Sequence, residues 1–172
     1  MKLILPAALV ETLKQELRRA GSREIGGVMV GEYLCDQTFR LADISVQTSG
    51  GSRAHFERDL EHSTSFLKES FARTGHDYSR FNYLGEWHSH PSFAAMPSGQ
   101  DVATMREIVE DPKVGVHFAV LLIVRLVRRS DLELSATVFR PHATPINAEM
   151  ELEVFQQSQK ESLFQRLIDL FR

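Results

Sequence analysis

The 172-residue sequence predicts a mixed α/β fold, a β-sheet flanked by helices. Two kinds of segment lead to that reading. In some windows apolar residues recur at intervals of three and four, as on one face of a helix. Elsewhere short β-branched runs are bounded by glycine and polar turns, as in buried strands. The two kinds alternate along the chain, which is the mark of a sheet covered by helices. No repeat, low-complexity tract or long linker divides the sequence, so a single domain over 1–172 is expected. At this length a chain buries roughly 70% of the surface it exposes when unfolded, enough to fold without cross-links.

Met1 to Val10 is apolar, but Pro6 interrupts it and Glu11, Lys14 and Glu16 follow closely. It reads as a short strand leading into a helix rather than as a secretion signal. Pro6 suits the first turn of that helix, and Leu9, Val10, Leu13 and Leu17 carry the helical repeat until Gly21 stops it. Ile25 to Leu34 is a glycine-punctuated strand. Phe39, Leu41, Ile44 and Val46 make a second with one slip in its alternation, closed by a turn at Ser49 to Ser52. Asp59 to Thr74 reads as an amphipathic helix with Leu60, Phe66, Leu67 and Phe71 on its apolar side. A polar loop, Gly75 to Arg80, leads to a strand at Tyr83 to His90. Ser98 to Glu110 is a helix announced by Pro97, Ser98 and Asp101, the spacing of a capping box. Phe118 to Val127 and Leu132 to Phe139 are two more strands, and a helical tail over about 151–172 carries Leu163, Phe164, Leu167, Ile168 and Phe171 on one stripe.

Composition excludes several classes of function. One cysteine, Cys35, rules out a disulfide scaffold and fits a reducing, cytoplasmic setting. Twenty basic residues are scattered and the net charge is -3, so no nucleic-acid surface is indicated. The longest apolar stretch, Phe118 to Val127, is interrupted by Arg125 and is about half the ~20 residues of a helical membrane span.

The chemistry concentrates in Gly85-Glu86-Trp87-His88-Ser89-His90-Pro91 and in Pro97-Ser98-Gly99-Gln100-Asp101. Residues two apart on a strand share a face, so His88 and His90 can offer two imidazoles to one ion. Asp101, in the first turn of the next helix, can add a carboxylate. Two histidines and an aspartate suit zinc in a site with one position open for water. Each piece also has a plain structural reading: a pair of ordinary buried histidines, a helix cap and a strand-ending proline. Their conjunction within fourteen residues favours the site.

That run resembles the signature of the JAMM zinc metalloproteases, also called JAB or MPN-plus. Glu24-Ile25-Gly26-Gly27-Val28-Met29-Val30-Gly31 is similar to the family's upstream element, which places Glu24 at the catalytic glutamate. The likeness extends from about Glu24 to Val127. It implies a JAB/MPN, cytidine-deaminase-like architecture and one Zn2+ held by His88, His90 and Asp101. Glu24 would then move the proton of the attacking water, and the Ser98 hydroxyl would help to stabilise the oxyanion. It also implies a substrate: the bond after the C-terminal glycine of a ubiquitin-like protein, cleaved to release a conjugate or to trim a precursor. The compact form resembles the prokaryotic branch, whose partners include proteins like ubiquitin-activating and ubiquitin-conjugating enzymes. The loop at about 74–82 is short, which implies little selectivity among chain linkages.

Two other functions fit the same residues. One is a non-catalytic MPN-type scaffold; the other is a zinc hydrolase acting on short peptides or amino-acid adducts of sulfur-carrier-like proteins. Glu86 shares the strand face of His88, where it either orients a ligand or is an ordinary surface carboxylate. Trp87 should face the core. Cys35 has no partners at diagnostic spacing, and His55, His62, His76, His117 and His142 read as surface or hydrogen-bonded residues.

Overall fold

The computed structural model describes residues 1–48, 58–128 and 130–153. Its elements are β1 (Lys2–Leu5), α1 (Ala7–Ala20), β2 (Gly26–Cys35), β3 (Thr38–Ile44), α2 (Leu60–Arg73), β4 (Phe81–Ser89), α3 (Gly99–Glu110), β5 (Ala119–Val127), β6 (Asp131–Phe139), β7 (Ile146–Asn147) and β8 (Glu149–Leu152). The strands form one mixed sheet in the order β7-β6-β5-β4-β2-β3-β1-β8. The expected α/β class is therefore what folds, and β1 before α1 is as the sequence predicts. None of the helices among the described residues is long and apolar enough to cross a membrane.

Alternation along β5 shows how the sheet is covered. Val120, Leu122 and Val124 join Leu13 and Leu17 of α1 and Trp87 in one cluster. Ala119, Leu121 and Ile123 face the other way and pack with Met105, Ile108 and Val109 of α3. Both faces are buried, so the strand reads as a continuous apolar run. Residues 146–152 pair first with β6 and then with β1. The Ala148 amide between them donates to the Ala136 carbonyl at 2.9 Å. The two ends of the sheet are thereby joined on the α1 side, where Ala148 and Met150 pack against the core.

Three expectations change. Pro6 is the N-cap of α1, with extended backbone, rather than a residue of its first turn. Leu60 is 65% exposed, because α2 turns Ser63 and Ser70 inward instead. Small side chains at that seven-residue spacing let the helix lie close over β2 and β4, and Ser70 Oγ donates to Asp43 Oδ2 at 3.2 Å. Residues 149–152, where the tail helix was to begin, are a strand. The remainder of that tail, the turn at 49–52 and His55 lie outside the described residues.

Candidate metal centre

β4 is the central element of the site. It pairs with β2 in antiparallel register, Gly26 opposite His88 and Val28 opposite Glu86. The ladder continues beyond β2: the Ser89 amide donates to the Ile25 carbonyl at 2.8 Å, and the Ile25 amide donates to Ser89 Oγ at 3.0 Å. Extending it by one residue sets Glu24 beside His90. Glu24, Glu86, His88 and His90 thus project from one face of the sheet and line one cavity of about 800 Å³. Trp87 points the opposite way, fully buried, and donates its indole N–H to the Ser45 carbonyl at 2.8 Å.

α3 brings Asp101 to the same place. Its start is a complete capping box. The Asp101 amide donates to Ser98 Oγ at 3.2 Å, and the Ser98 amide donates to Asp101 Oδ2 at 2.6 Å. The cap and the site are the same contacts seen twice, because the bond to Ser98 is what fixes the carboxylate. Asp101 Oδ1 then lies 3.3 Å from His88 Nε2, and Oδ2 lies 3.6 Å from His90 Nε2. The two Nε2 atoms are 3.1 Å apart.

This triangle fits a metal ion. Ligand atoms held about 2.0–2.1 Å from a tetrahedral zinc stand about 3.4 Å from one another. The separation of the two Nε2 atoms and the nearest approach of a carboxylate oxygen to each lie close to that value, Oδ1 being nearest His88 and Oδ2 nearest His90, and one ligand atom from each of the three residues lies within 4.8 Å of the others. The tautomer also fits, since Nδ1 of His90 faces the Ala94 carbonyl at 3.0 Å. A proton on Nδ1 leaves the Nε2 lone pair directed into the triangle. Burial alone would raise the Asp101 carboxyl. The hydrogen bond and charge of His88, with the Ser98 contacts, overcome this and hold it down at about 2. Its carboxylate form, the one that can ligate a metal, is thereby favoured.

Glu24 is buried, 5% exposed, and shares the cavity with the three ligands and Ser98. The sequence-predicted site residues are thus brought together. Glu86 is paired with Arg58 Nη1, from the segment that enters α2. Burial pushes its carboxyl up and the Arg58 charge works against that. Sequence reasoning did not single out Arg58; an arginine ahead of a helix cap carries no signal of its own. Cys35 is exposed at the turn between β2 and β3. His62, His76, His117 and His142 are exposed, as expected.

The fold and the site together define a JAB-type domain with a His-His-Asp group that could hold a metal ion. Residues 6–138 match the family described as prokaryotic homologs of the JAB domain, and the chain belongs to it. The chain is 26% identical over 147 residues to a CD-NTase/cGAS isopeptidase of Enterobacter hormaechei, covering 84% of this chain and 78% of that one. It is 30% identical over 100 residues to the ubiquitin carboxyl-terminal hydrolase RPN11 of Saccharomyces cerevisiae, covering 58% of this chain and 31% of that one. The solution structure of protein DSY2949 from Desulfitobacterium hafniense shares the fold, with a TM-score of 0.67 at 18% identity over 91% of this chain and 97% of that one. Relatives named as isopeptidase and hydrolase support an isopeptide hydrolase for this chain.

Proposed function

We propose that this protein is a zinc-dependent isopeptidase that cleaves after the C-terminal glycine of a ubiquitin-like protein, releasing it from conjugates or trimming its precursor. The observation that carries the reading is the triangle of His88, His90 and Asp101, at 3.1 to 3.6 Å, with Glu24 buried in the same cavity. A scaffold would have no need of three ligands at zinc spacing beside a buried carboxylate.

His88, His90 and Asp101 would hold the ion. When bound, zinc lowers the pKa of water toward about 7 and polarises a carbonyl. Glu24 accepts the proton of the attacking water and returns it to the amine as the carbon–nitrogen bond breaks. Ser98 is exposed at the head of α3; its oxygen receives the Asp101 amide, so its own proton is free to donate to the oxyanion. A cytoplasmic setting, beside activating and conjugating enzymes, is part of the same reading.

The test uses Glu24→Gln. It should retain one zinc per chain and lose roughly 10²–10⁴-fold in turnover, while His88→Ala loses the metal as well. Expressed in its native cells, Glu24→Gln should capture a glycine-terminated protein joined to lysines. Recovery of an unconjugated precursor would make trimming the main role. Near-normal activity of Glu24→Gln would remove it as the base. Capture of intact partners with no glycine-terminated species would favour the scaffold.

A further inference from the structure

On the side of the sheet that carries α1, one end is only partly covered. β1, β3, β4, β5 and β8 all run the same way, because β1 is parallel to β3 and β8, β4 is parallel to β5, and β3 and β4 are both antiparallel to β2. Glu153, just past β8, and the turn from β5 to β6 therefore lie at the same end. α1 starts at that end, after Leu5, and also finishes there. Its Leu17 and the Gly21 that caps it share a cavity of about 540 Å³ with Ser89, Pro91 and Leu126, where β4 and β5 end. Apolar side chains mark both margins of this end. On the far margin Leu126 lies opposite Leu132, with Leu134 two residues further along β6. All three are half-buried against the α1-side core, whereas Ala136 and Val138 deeper in the strand are closed off. On the near margin Met150 is half-buried and Leu152 is 47% exposed, in register with the buried Leu3 and Leu5.

We propose that this end is covered by the chain's own residues 154–172, with Leu163, Phe164, Leu167, Ile168 and Phe171 laid on Leu126, Leu132 and Leu134. The starting point comes from β8. The Glu153 amide donates to the Leu5 carbonyl at 2.9 Å and its carboxylate accepts both Arg40 bonds, so residue 154 leaves from the near margin. The reach comes from two spacings. β5 is four places from β1 in the sheet, about 19 Å at ~4.8 Å per strand. α1, which makes the same crossing in 14 residues, is about 21 Å long. A helix over 154–172 would set Leu163 about 15 Å and Phe171 about 27 Å from Glu153, which brackets the far margin. The intervening residues 156–161, Gln-Gln-Ser-Gln-Lys-Glu, contain no apolar side chain. They suit a path beside α1, whose Gln15, Arg18 and Arg19 are exposed. A tethered segment also meets its site at an effective concentration of about a millimolar, above what a second copy supplies. Gly21, Ser89 and Pro91 stand close in sequence to Glu24 and His90, so the docked segment braces the metal site from behind.

Disulfide trapping in the full chain provides the test. In a Cys35→Ser background, Leu126→Cys is combined in turn with Phe164→Cys, Ile168→Cys and Phe171→Cys, and with Ser158→Cys as the control from the polar stretch. Isotope-labelled and unlabelled chains are mixed before mild oxidation, so that mass spectrometry separates bonds within one chain from bonds between two. The stripe positions should form a disulfide within one chain about tenfold faster than Ser158→Cys, because only a docked side chain holds the required geometry. Disulfides between chains at the same positions overturn the proposal and make a second copy the occupant. Equal rates at all four positions overturn it as well, since a tail that rests elsewhere favours none of them. A second measurement leaves the described residues unchanged. In the chain carrying Leu167→Asp and Ile168→Asp, the amides of 126–134 should exchange hydrogen about tenfold faster while those of β2 keep their rates. Unchanged exchange at 126–134 overturns the proposal.

Discussion

Replacing Gly85 with alanine tests whether the backbone of β4 sets the metal ligands. Gly85 sits at the break in the β2–β4 register, where Met29 pairs with Gly85 but Val30 pairs with Tyr83. Its φ is 145°, a region that L side chains rarely adopt, and a Cβ there would stand 1.9 Å from the Val120 carbonyl oxygen and 2.6 Å from its nitrogen. Ordinary contact begins at 3.4 Å, so one of two central strands would have to move by about 1.5 Å. The backbone strain costs of order 1–3 kcal/mol and the overpacking a similar amount. A loss of about 3–5 kcal/mol corresponds to a fall in Tm of about 10 °C for a chain of this size. His88 is three residues downstream, so the same displacement should open the Nε2 pair and weaken metal binding. Thermal melts of the metal-free protein and zinc competition against a chelator measure the two effects. Destabilisation under 1 kcal/mol with unchanged zinc affinity would refute the argument.

Ser98 carries two roles that substitution can separate. Ser98→Ala should cost about 1 kcal/mol of stability through the lost cap and a further loss of turnover, whereas Ser98→Asn restores a cap and still lacks the hydroxyl; recovery of stability and of full turnover by asparagine would exclude the hydroxyl from the reaction. A second prediction concerns pH and β8. Arg40 donates to both oxygens of Glu153 at 2.7 and 2.9 Å, and that hydrogen bond holds the Glu153 carboxyl below its usual value of 4.5. A carboxyl lowered in the folded state stabilises it above the unfolded value and ceases to do so as pH falls through the folded one. Hydrogen exchange, corrected for its intrinsic pH dependence, should therefore show the Glu149 and Glu153 amides losing protection relative to β5 below about pH 4.5; the same loss in Arg40→Ala would assign it to another group.

The site was legible in the sequence because each of its parts obeys a local rule. His88 and His90 are two apart on a strand, and Ser98 with Asp101 are the ends of a capping box. Those spacings survive folding unchanged. What could not be read depends on partners distant in sequence. Nothing in Ile146 to Leu152 shows that one short segment pairs with β6 and then with β1. Leu60 looked like part of an apolar face, but α2 rests on Ser63 and Ser70 and leaves Leu60 at the rim of the metal-site cavity. Glu86 was read as sharing a face with His88, which it does, while its partner Arg58 lies 28 residues away. Gly27 is a case where the structure supplies the reason: a Cβ there would fall 2.3 Å from Ser45 Oγ. That close approach lets Ser45 Oγ accept the Val28 amide at 2.9 Å and its carbonyl accept the Trp87 indole.

These contacts bear on how Glu24 reaches the metal ligands at all. Glu24 precedes β2 and His90 follows β4, and their juxtaposition depends on the register between those two strands. A slip of one residue would carry Glu24 to the opposite face, since side chains alternate. The β2–β4 ladder is pinned at two places close to the site. Ser89 Oγ and its amide bond the backbone of Ile25, and Trp87 is anchored to Ser45, which in turn bonds Val28. Ser89 and Trp87 alternate with the two histidines and point away from the metal. One face of β4 therefore presents the ligands while the other fixes the register that brings the carboxylate to them. The serine within His88-Ser89-His90 and the glycine pair after Glu24 are parts of one device for aligning two strands. Their neighbours carry the chemistry.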